Sequence, residues 1–324
     1  MKVLVTGGAG FIGSHLVRAL ALKGLGVIVL DDLSTGRKEH LPKGAYLVEG
    51  DIRDRASVDR VFAHWQPKVV FHLAGQASVR RSITDTITDL DVNVKGAIHV
   101  FEASARSSVE KVVFASSGGA IYGDQDIYPA SEEAHPKPRS PYAVGKLASE
   151  HYGAYFDFHR GFDFTALRLG NVYGPGQNPE GEAGVIAIFL GRMAEGRTLT
   201  VYGDGEQTRD FIFVGDVAQA FLSAMEGPPG TFNIGTGIET SLNTLIGLVG
   251  NAVGWKPEVR HAPAIPAEVR RNVLGVRRAQ EILGWTPSTF LSEGLKLTAE
   301  HQKGMHVPEG GGGEDPKTLG PTVP

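Results

Sequence analysis

The chain has 324 residues, 41% of them hydrophobic and 21% charged, which suits a globular protein of roughly two domains at about 150 residues each. Its 32 basic and 36 acidic residues leave a net charge of −4, so no basic footprint argues for a nucleic-acid partner. With no cysteine, disulfides, thiolate catalysis and cysteine-ligated metal centres are excluded, and no other metal site is expected. The 43 glycines, about 13% of the chain against a typical share of about 7%, are its most unusual number.

The opening MKVLVTGGAGFIG has too short an apolar run for a secretory leader, and no stretch approaches the roughly 18 apolar residues of a membrane span. A cytoplasmic protein without a membrane partner is expected. From there, short apolar strands at 2–6, 26–30, 46–49, 69–73, 111–116 and 164–168 alternate with amphipathic helices at 11–23, 55–64, 93–106 and 141–159. Most of these strands are continuous apolar runs, as required where helices cover both faces of a parallel sheet. The pattern predicts an α/β fold with a doubly wound, Rossmann-type sheet over residues 1–170.

After Asn171 the rhythm becomes irregular. Strands at 199–202, 231–234 and 258–261 mix with helices at 185–195, 217–225, 242–253 and 277–283, predicting a smaller α/β substrate-binding domain over 171–303 with segments free to return to the first. Residues 304–324 are rich in glycine and proline with little to bury, and read as a disordered tail.

The first strand runs into TGGAGFIG, which spaces Gly7, Gly10 and Gly13 before a helix. A tight turn without Cβ atoms, a close backbone approach and a helix N-terminus together make a pyrophosphate cradle. Asp31, closing the second strand, is placed to accept from an adenosine ribose, favouring NAD over its 2′-phosphorylated form. Asp51, with Ile52 after it in EGDIRD, is either at the adenine edge or the N-cap of the next helix.

In Ser140-Pro141-Tyr142-Ala143-Val144-Gly145-Lys146, serine caps a helix and proline takes its first position. Tyr142 and Lys146, four apart, share one face. An ammonium and a positively charged nicotinamide beside a phenol favour the phenolate, turning a weak base into a usable one. Upstream, the strand ending in SSGGAIYG offers a hydroxyl for the reacting oxygen; Ser117 is the first choice and Ser116 the second.

With these motifs in place the chain resembles the extended short-chain dehydrogenases/reductases that act on nucleotide sugars, most closely their UDP-galactose (UDP-glucose) 4-epimerases. TGGAGFIG, LDDLSTG, EGDIRD, HLAGQASV, NVKG, SSGGAIYG, SPYAVGK, RLGNVYGPGQ and YGDGEQTRDFIFVGDVA occur in family order over residues 1 to about 300. The resemblance implies that Phe11, Ile12, Asp32, Ser34 and Thr35 join the glycines and Asp31 around the dinucleotide. Leu73, Ala74, Gly75, Asn93 and Ser116 would line its groove, and Tyr142 with Lys146 would hold the nicotinamide ribose. Ser117, Tyr142, Asn171, Val185, Tyr202, Arg209 and Glu268 would bind the UDP-sugar. A second phosphate-contacting arginine is missing from its usual place before Pro266, with Arg270 and Arg81 as the candidates to replace it.

The resemblance also bears on the reaction. Sister dehydratases and decarboxylases place an acid after the catalytic hydroxyl, where this chain has Gly118-Gly119-Ala120. Hydride removal from C4 and its return to the opposite face is then the expected course, catalysed by Tyr142 with Lys146. Epimerases of UDP-N-acetylglucosamine or UDP-glucuronate remain alternatives, the former because Asn272 stands near a bulky tyrosine of some relatives; so does a non-catalytic NAD-sensing regulator, against which the intact Tyr142–Lys146 pair speaks. Small residues on the helices 93–106 and 141–159, among them Gly96, Ala97, Gly145, Ala148 and Gly153, point to a homodimer through those helices.

Overall fold

The structure, a computed structural model, describes residues 1–179, 184–265 and 269–305. In the first half the elements are β1 (Lys2–Thr6), α1 (Phe11–Leu22), β2 (Gly26–Asp31), β3 (Tyr46–Glu49), α2 (Arg55–Trp65), β4 (Val69–His72), α3 (Val79–Thr84), α4 (Thr86–Leu90), a π-helical turn at Asp91–Lys95, α5 (Gly96–Arg106), β5 (Lys111–Ser117), α6 (Gly118–Ile121), α7 (Pro141–Arg160) and β6 (Asp163–Leu169). The second half adds β7 (Asn171–Tyr173), α8 (Val185–Ala194), β8 (Leu199–Tyr202), β9 (Thr208–Phe213), α9 (Val214–Glu226), β10 (Gly230–Ile234), β11 (Glu239–Ser241), α10 (Leu242–Val253), β12 (Val259–Ala262), α11 (Arg277–Leu283) and α12 (Leu291–Met305).

Seven strands form one sheet in the order β10-β6-β5-β4-β1-β2-β3, every neighbouring pair parallel. The uninterrupted apolar strands follow from two buried faces. In β1, Val3 and Val5 pack with Leu16, Leu20 and Phe221 from α1 and α9, whereas Leu4 packs with Val58, Phe62, Val100 and Phe101 from α2 and α5. Fully burying each such side chain contributes about 1.5–3 kcal/mol of transfer free energy. The double winding anticipated from the sequence is therefore present, with the sheet's outermost strand supplied by residues beyond 170: β10 pairs with β6 from Gly230↔Thr165 to Ile234↔Leu169.

The second lobe contains a three-stranded sheet β11-β9-β7 and the parallel pair β12-β8. Ile186, Phe189 and Leu190 of α8, Leu245 and Val249 of α10 and Leu295 of α12 close a separate core around Leu199, Val201 and Phe211. Helix α12 runs to Met305; the rest of the segment read as a tail, 306–324, lies outside the described residues. Among the described residues no helix is long and apolar enough to cross a membrane.

Two of the small residues on α5 and α7, Gly96 and Gly153, pack closely within this chain. A Cβ on Gly153 would stand 2.1 Å from the Phe164 ring, and one on Gly96 would stand 2.7 Å from Ile52 Cδ1. What α7 leaves outside is larger: Val144, Tyr152, Tyr155 and Phe158 are exposed, and Ala148, His151, Tyr152 and Tyr155 line an apolar hollow of about 440 Å³.

Candidate active site

The sheet order sets β1 between β2 and β4, so the turns after β1, β4 and β5 open on one crevice at the carboxyl ends of the strands, where doubly wound sheets bind ligands. After Thr6 the chain turns at Gly7 with φ +70°, a conformation that side chains resist. Gly13 fits only without a side chain, since a Cβ there would be 2.1 Å from the Gly7 carbonyl oxygen and 2.7 Å from Gly8 Cα. Gly10 precedes α1, with Phe11 and Ile12 as its first residues. Asp31 is 7% exposed; its oxygens accept from the Ala9 and Leu33 N–H groups, each at 2.9 Å. Burial pushes its carboxyl above the usual range, and the two backbone bonds oppose that. A bare loop at a helix N-terminus followed by a carboxylate fits a dinucleotide's pyrophosphate and ribose.

The neighbouring residues separate into two groups. Asp32 holds the loop after β2 by accepting from Ser34 N at 2.9 Å and Ser34 Oγ at 2.6 Å, with Thr35 next to it. Gly36, not singled out from the sequence, closes that loop, since a Cβ there would be 2.8 Å from Asp31 Oδ1. Asp51 is no N-cap: its carboxylate takes the Arg53 N–H and Nε–H, and Asp54 caps α2 by accepting from Ala56 N. The Ile52 side chain is buried against Gly96. Across the crevice, Leu73 N donates to Thr6 O at 3.0 Å and Ala74 N to Thr6 Oγ1 at 3.3 Å, tying the turn after β4 to β1. A Cβ on Gly75 would stand 3.3 Å from Lys146 Nζ and 2.8 Å from Asn93 Oδ1, so the groove, Asn93 and the lysine converge here.

Ser140 caps α7 by accepting from Ala143 N at 3.2 Å, and Pro141 occupies the first turn. Tyr142, Lys146 and Glu150 then follow at four-residue steps along one face. Burial pushes the Tyr142 phenol above its ordinary value, its hydrogen bond with Ser117 pulls it down and the Asp89 carboxylate pushes it up. Burial lowers Lys146 to about 8 against the opposing pull of Asp89 and Glu150. The ammonium donates to Ala115 O at 3.0 Å and lies 5.9 Å from the Tyr142 ring centroid and 4.9 Å from that of Phe114. It therefore faces the phenol ring.

The two candidate serines diverge, as adjacent strand residues must. Ser117 acts on the Tyr142 phenol and lowers it, whereas Ser116 is buried and donates to Glu150 Oε1. Ser116 Oγ is thus committed to a buried ion pair: Arg168 meets Glu150 through Nε at 3.0 Å and Nη2 at 2.7 Å, and Tyr122 OH through Nη1 at 2.9 Å. His72, also missed by sequence reasoning, lies under the site with Nδ1 2.7 Å from Thr6 Oγ1; burial and then the Lys146 charge lower it to about 3. It is a neutral spacer there.

Toward the second lobe, Asn171 begins β7 with its Oδ1 buried and without a partner, 3.5 Å from where a Cβ on Gly119 would be. Gly118-Gly119-Ala120 form the short α6, so no acid or base side chain follows Ser117. Arg209 lies on β9, donating through Nη1 to Thr208 O at 2.8 Å, and Gln207 Nε2 donates to Tyr202 O at 2.8 Å. Arg80 reaches over the Tyr202 ring at 5.9 Å. Val185 opens α8. Glu268 lies outside the described residues. Of the two arginines considered as replacements, Arg270 is engaged with Asp204 through both Nη atoms at 2.7 Å, and Arg81 stands on exposed α3.

Comparison with known proteins identifies the family. A family profile described as the NAD dependent epimerase/dehydratase family matches residues 3–235. The UDP-glucose 4-epimerase of Mycolicibacterium smegmatis is 45% identical over 308 residues, 93% of this chain and 98% of that protein. The UDP-glucose 4-epimerase of Thermotoga maritima, solved with UDP-glucose, superposes with a TM-score of 0.93 at 44% identity, covering 94% of this chain and 99% of that one. The Thermus thermophilus enzyme of the same name, solved with NAD, gives a TM-score of 0.90, also at 44% identity, with coverage of 94% and 99%. The chain belongs to the NAD-dependent epimerase/dehydratase family of extended short-chain dehydrogenases/reductases, an enzyme family, and its cofactor is NAD.

Proposed function

We propose that this protein interconverts UDP-galactose and UDP-glucose by inverting C4 of the hexose, an isomerisation without net redox change. Bound NAD supplies reversible hydride acceptance. The chain's own residues handle the rest. Tyr142 takes the proton from the sugar O4 as C4 is oxidised to a ketone and gives it back on the return step. Ser117 holds that oxygen beside the phenol through its hydroxyl. Lys146 keeps a positive charge against the Tyr142 ring face and anchors itself on Ala115 O.

The observation that carries this reading is α6. Elimination of water or loss of carboxylate from the ketose needs an acid or base near C5 or C6, and Gly118-Gly119-Ala120 provide none. Return of the hydride to the other face is the simplest fate left. For that the sugar must turn while its nucleotide stays fixed, a task for which Asn171, Val185, Tyr202 and Arg209 are the candidate anchors, with Glu268 carried over from the sequence alone. A second reading, that UDP-N-acetylglucosamine is also accepted, is favoured by Asn272, a short buried residue whose Nδ2 donates to Gly118 O at 3.2 Å and whose Oδ1 lacks a partner.

Purified protein incubated with UDP-galactose and no added NAD is expected to yield UDP-glucose without a lasting rise in absorbance at 340 nm. A steady rise would indicate a net oxidoreductase, and no reaction with any UDP-hexose would overturn the proposal. Replacing Tyr142 by Phe should lower kcat by about 10²–10⁴-fold with NAD still bound. We also propose that the protein is a homodimer, built on the apolar outer face of α7 alongside α5.

A further inference from the structure

The turn after β4 and the helices that follow it carry a buried carboxylate for which the reaction as described has no use. Asp89, in α4, is 2% exposed. Its Oδ1 accepts from Gln76 Nε2 at 2.8 Å and from Asn93 Nδ2 at 2.9 Å, both neutral amides. Asn93 Nδ2 also donates to Gln76 O at 2.9 Å, and Gln76 N to Asn93 Oδ1 at 3.1 Å, so the carboxylate is clamped to the turn beside Gly75. Its other oxygen, Oδ2, lies 3.5 Å from where a Cβ on Gly145 would be, one residue before Lys146. Among the described residues no cation comes within ion-pair distance of it.

A buried ammonium needs a compensating charge nearby. The titratable and charged groups around Lys146 are Tyr142 and Glu150 on α7, His72 on β4, Asp89 on α4 and, through Glu150, Arg168 on β6. His72 is neutral at working pH. The Glu150 charge is already matched by the guanidinium of Arg168, which meets it at 2.7 Å. Asp89 is the anion left over.

We propose that Asp89 is a positioning residue for the proton-handling pair: its carboxylate is the counter-charge of the Lys146 ammonium, and its two amide bonds fix the turn at Gly75 against that lysine. The inference rests on Tyr142 and Lys146 being the working pair. Both feel Asp89 in the same sense, because a nearby negative charge favours the protonated form of each. Removing it should make the phenol and the ammonium each release a proton more readily.

The test is the pH dependence of kcat/KM for UDP-galactose, measured on purified holoenzyme with wild type, D89N and D89E. The wild type should give a bell whose two limbs report the coupled titration of Tyr142 and Lys146. D89N, which keeps the shape and loses the charge, should move both limbs to lower pH by about one unit, with KM at the optimum changed less than kcat. D89E, which keeps the charge, should leave both limbs near their wild-type positions. A D89N bell that only loses height, or a D89E bell that moves as far as that of D89N, would overturn the inference. NAD content and the unfolding temperature are read on every variant. If D89N does not give folded holoenzyme, D89S makes the same charge removal with a smaller side chain. A wild type that fails to epimerise any UDP-hexose overturns the proposed function itself, an outcome distinct from an unmoved bell.

Discussion

Tyr142 illustrates how far single residues could be read in advance. Its pairing with Lys146 at a four-residue step was legible, because helical periodicity alone puts the two side chains on one face. The balance of forces on the phenol was not. Burial raises it, and the groups acting on it directly are Ser117 and Asp89, from the end of β5 and from α4, far from it in sequence. The choice between Ser117 and Ser116 became a matter of which way a strand residue points, and Ser116 turned out to belong to an ion pair whose members, Glu150 and Arg168, carry no local signature. Glycine was the most readable residue type, since tight approach leaves few alternatives. Gly13→Ala places a methyl 2.1 Å from the Gly7 carbonyl oxygen, so the loop must open. We expect that variant to retain well under a tenth of the wild-type bound NAD, measured as cofactor released on denaturation, while still folding.

Elements were legible where one periodicity ran for several turns or a strand was a solid apolar run. The strands of the large sheet and helices α1, α2, α5 and α7 fall within a few residues of their expected bounds. The short strands β7 and β11, of three residues each, and β9 exist only through their mutual pairing, Asn171↔Phe211 and Thr240↔Arg209 among the register pairs, and no window of sequence contains that information. Helix α12 was missed because Gly294 and several polar residues dilute its apolar face, although Leu295 and Ala299 are buried. At this scale the Glu150–Arg168 pair joins α7 to β6, with Tyr122, pushed up to about 12 mainly by burial, as a third member and Asn233 of β10 accepting from the Tyr122 hydroxyl at 2.7 Å. Removing one partner strands a buried charge. Arg168→Met should therefore destabilise the fold by about 3–5 kcal/mol in denaturant titration, more than the double change with Glu150→Met, which leaves no lone charge.

At the scale of the whole molecule, the exposed apolar side chains of α7 argue for association. Val144, Tyr152, Tyr155 and Phe158 lie next to α3 and α4, whose Val79, Ile83, Ile87 and Leu90 are also exposed, which makes a broad apolar surface for a monomer to show water. We expect the wild type to elute and sediment as a dimer, and Tyr155→Glu with Phe158→Glu to shift it to monomer with the bound NAD retained; a wild type that stays monomeric at tens of micromolar would refute the dimer. The return of residues 230–234 to the large sheet has a consequence for biosynthesis. A ribosome that has released β6 has delivered six of the sheet's seven strands, yet β6 then presents a bare row of backbone donors and acceptors, and the apolar seat of Phe232 stands open until β10 is made. Everything between must emerge first, including β7, α8, β8, β9 and α9. Nascent chains stalled before residue 230 should thus be the form most prone to stick to one another or to call on a chaperone, and release from that state should coincide with the synthesis of a single five-residue strand.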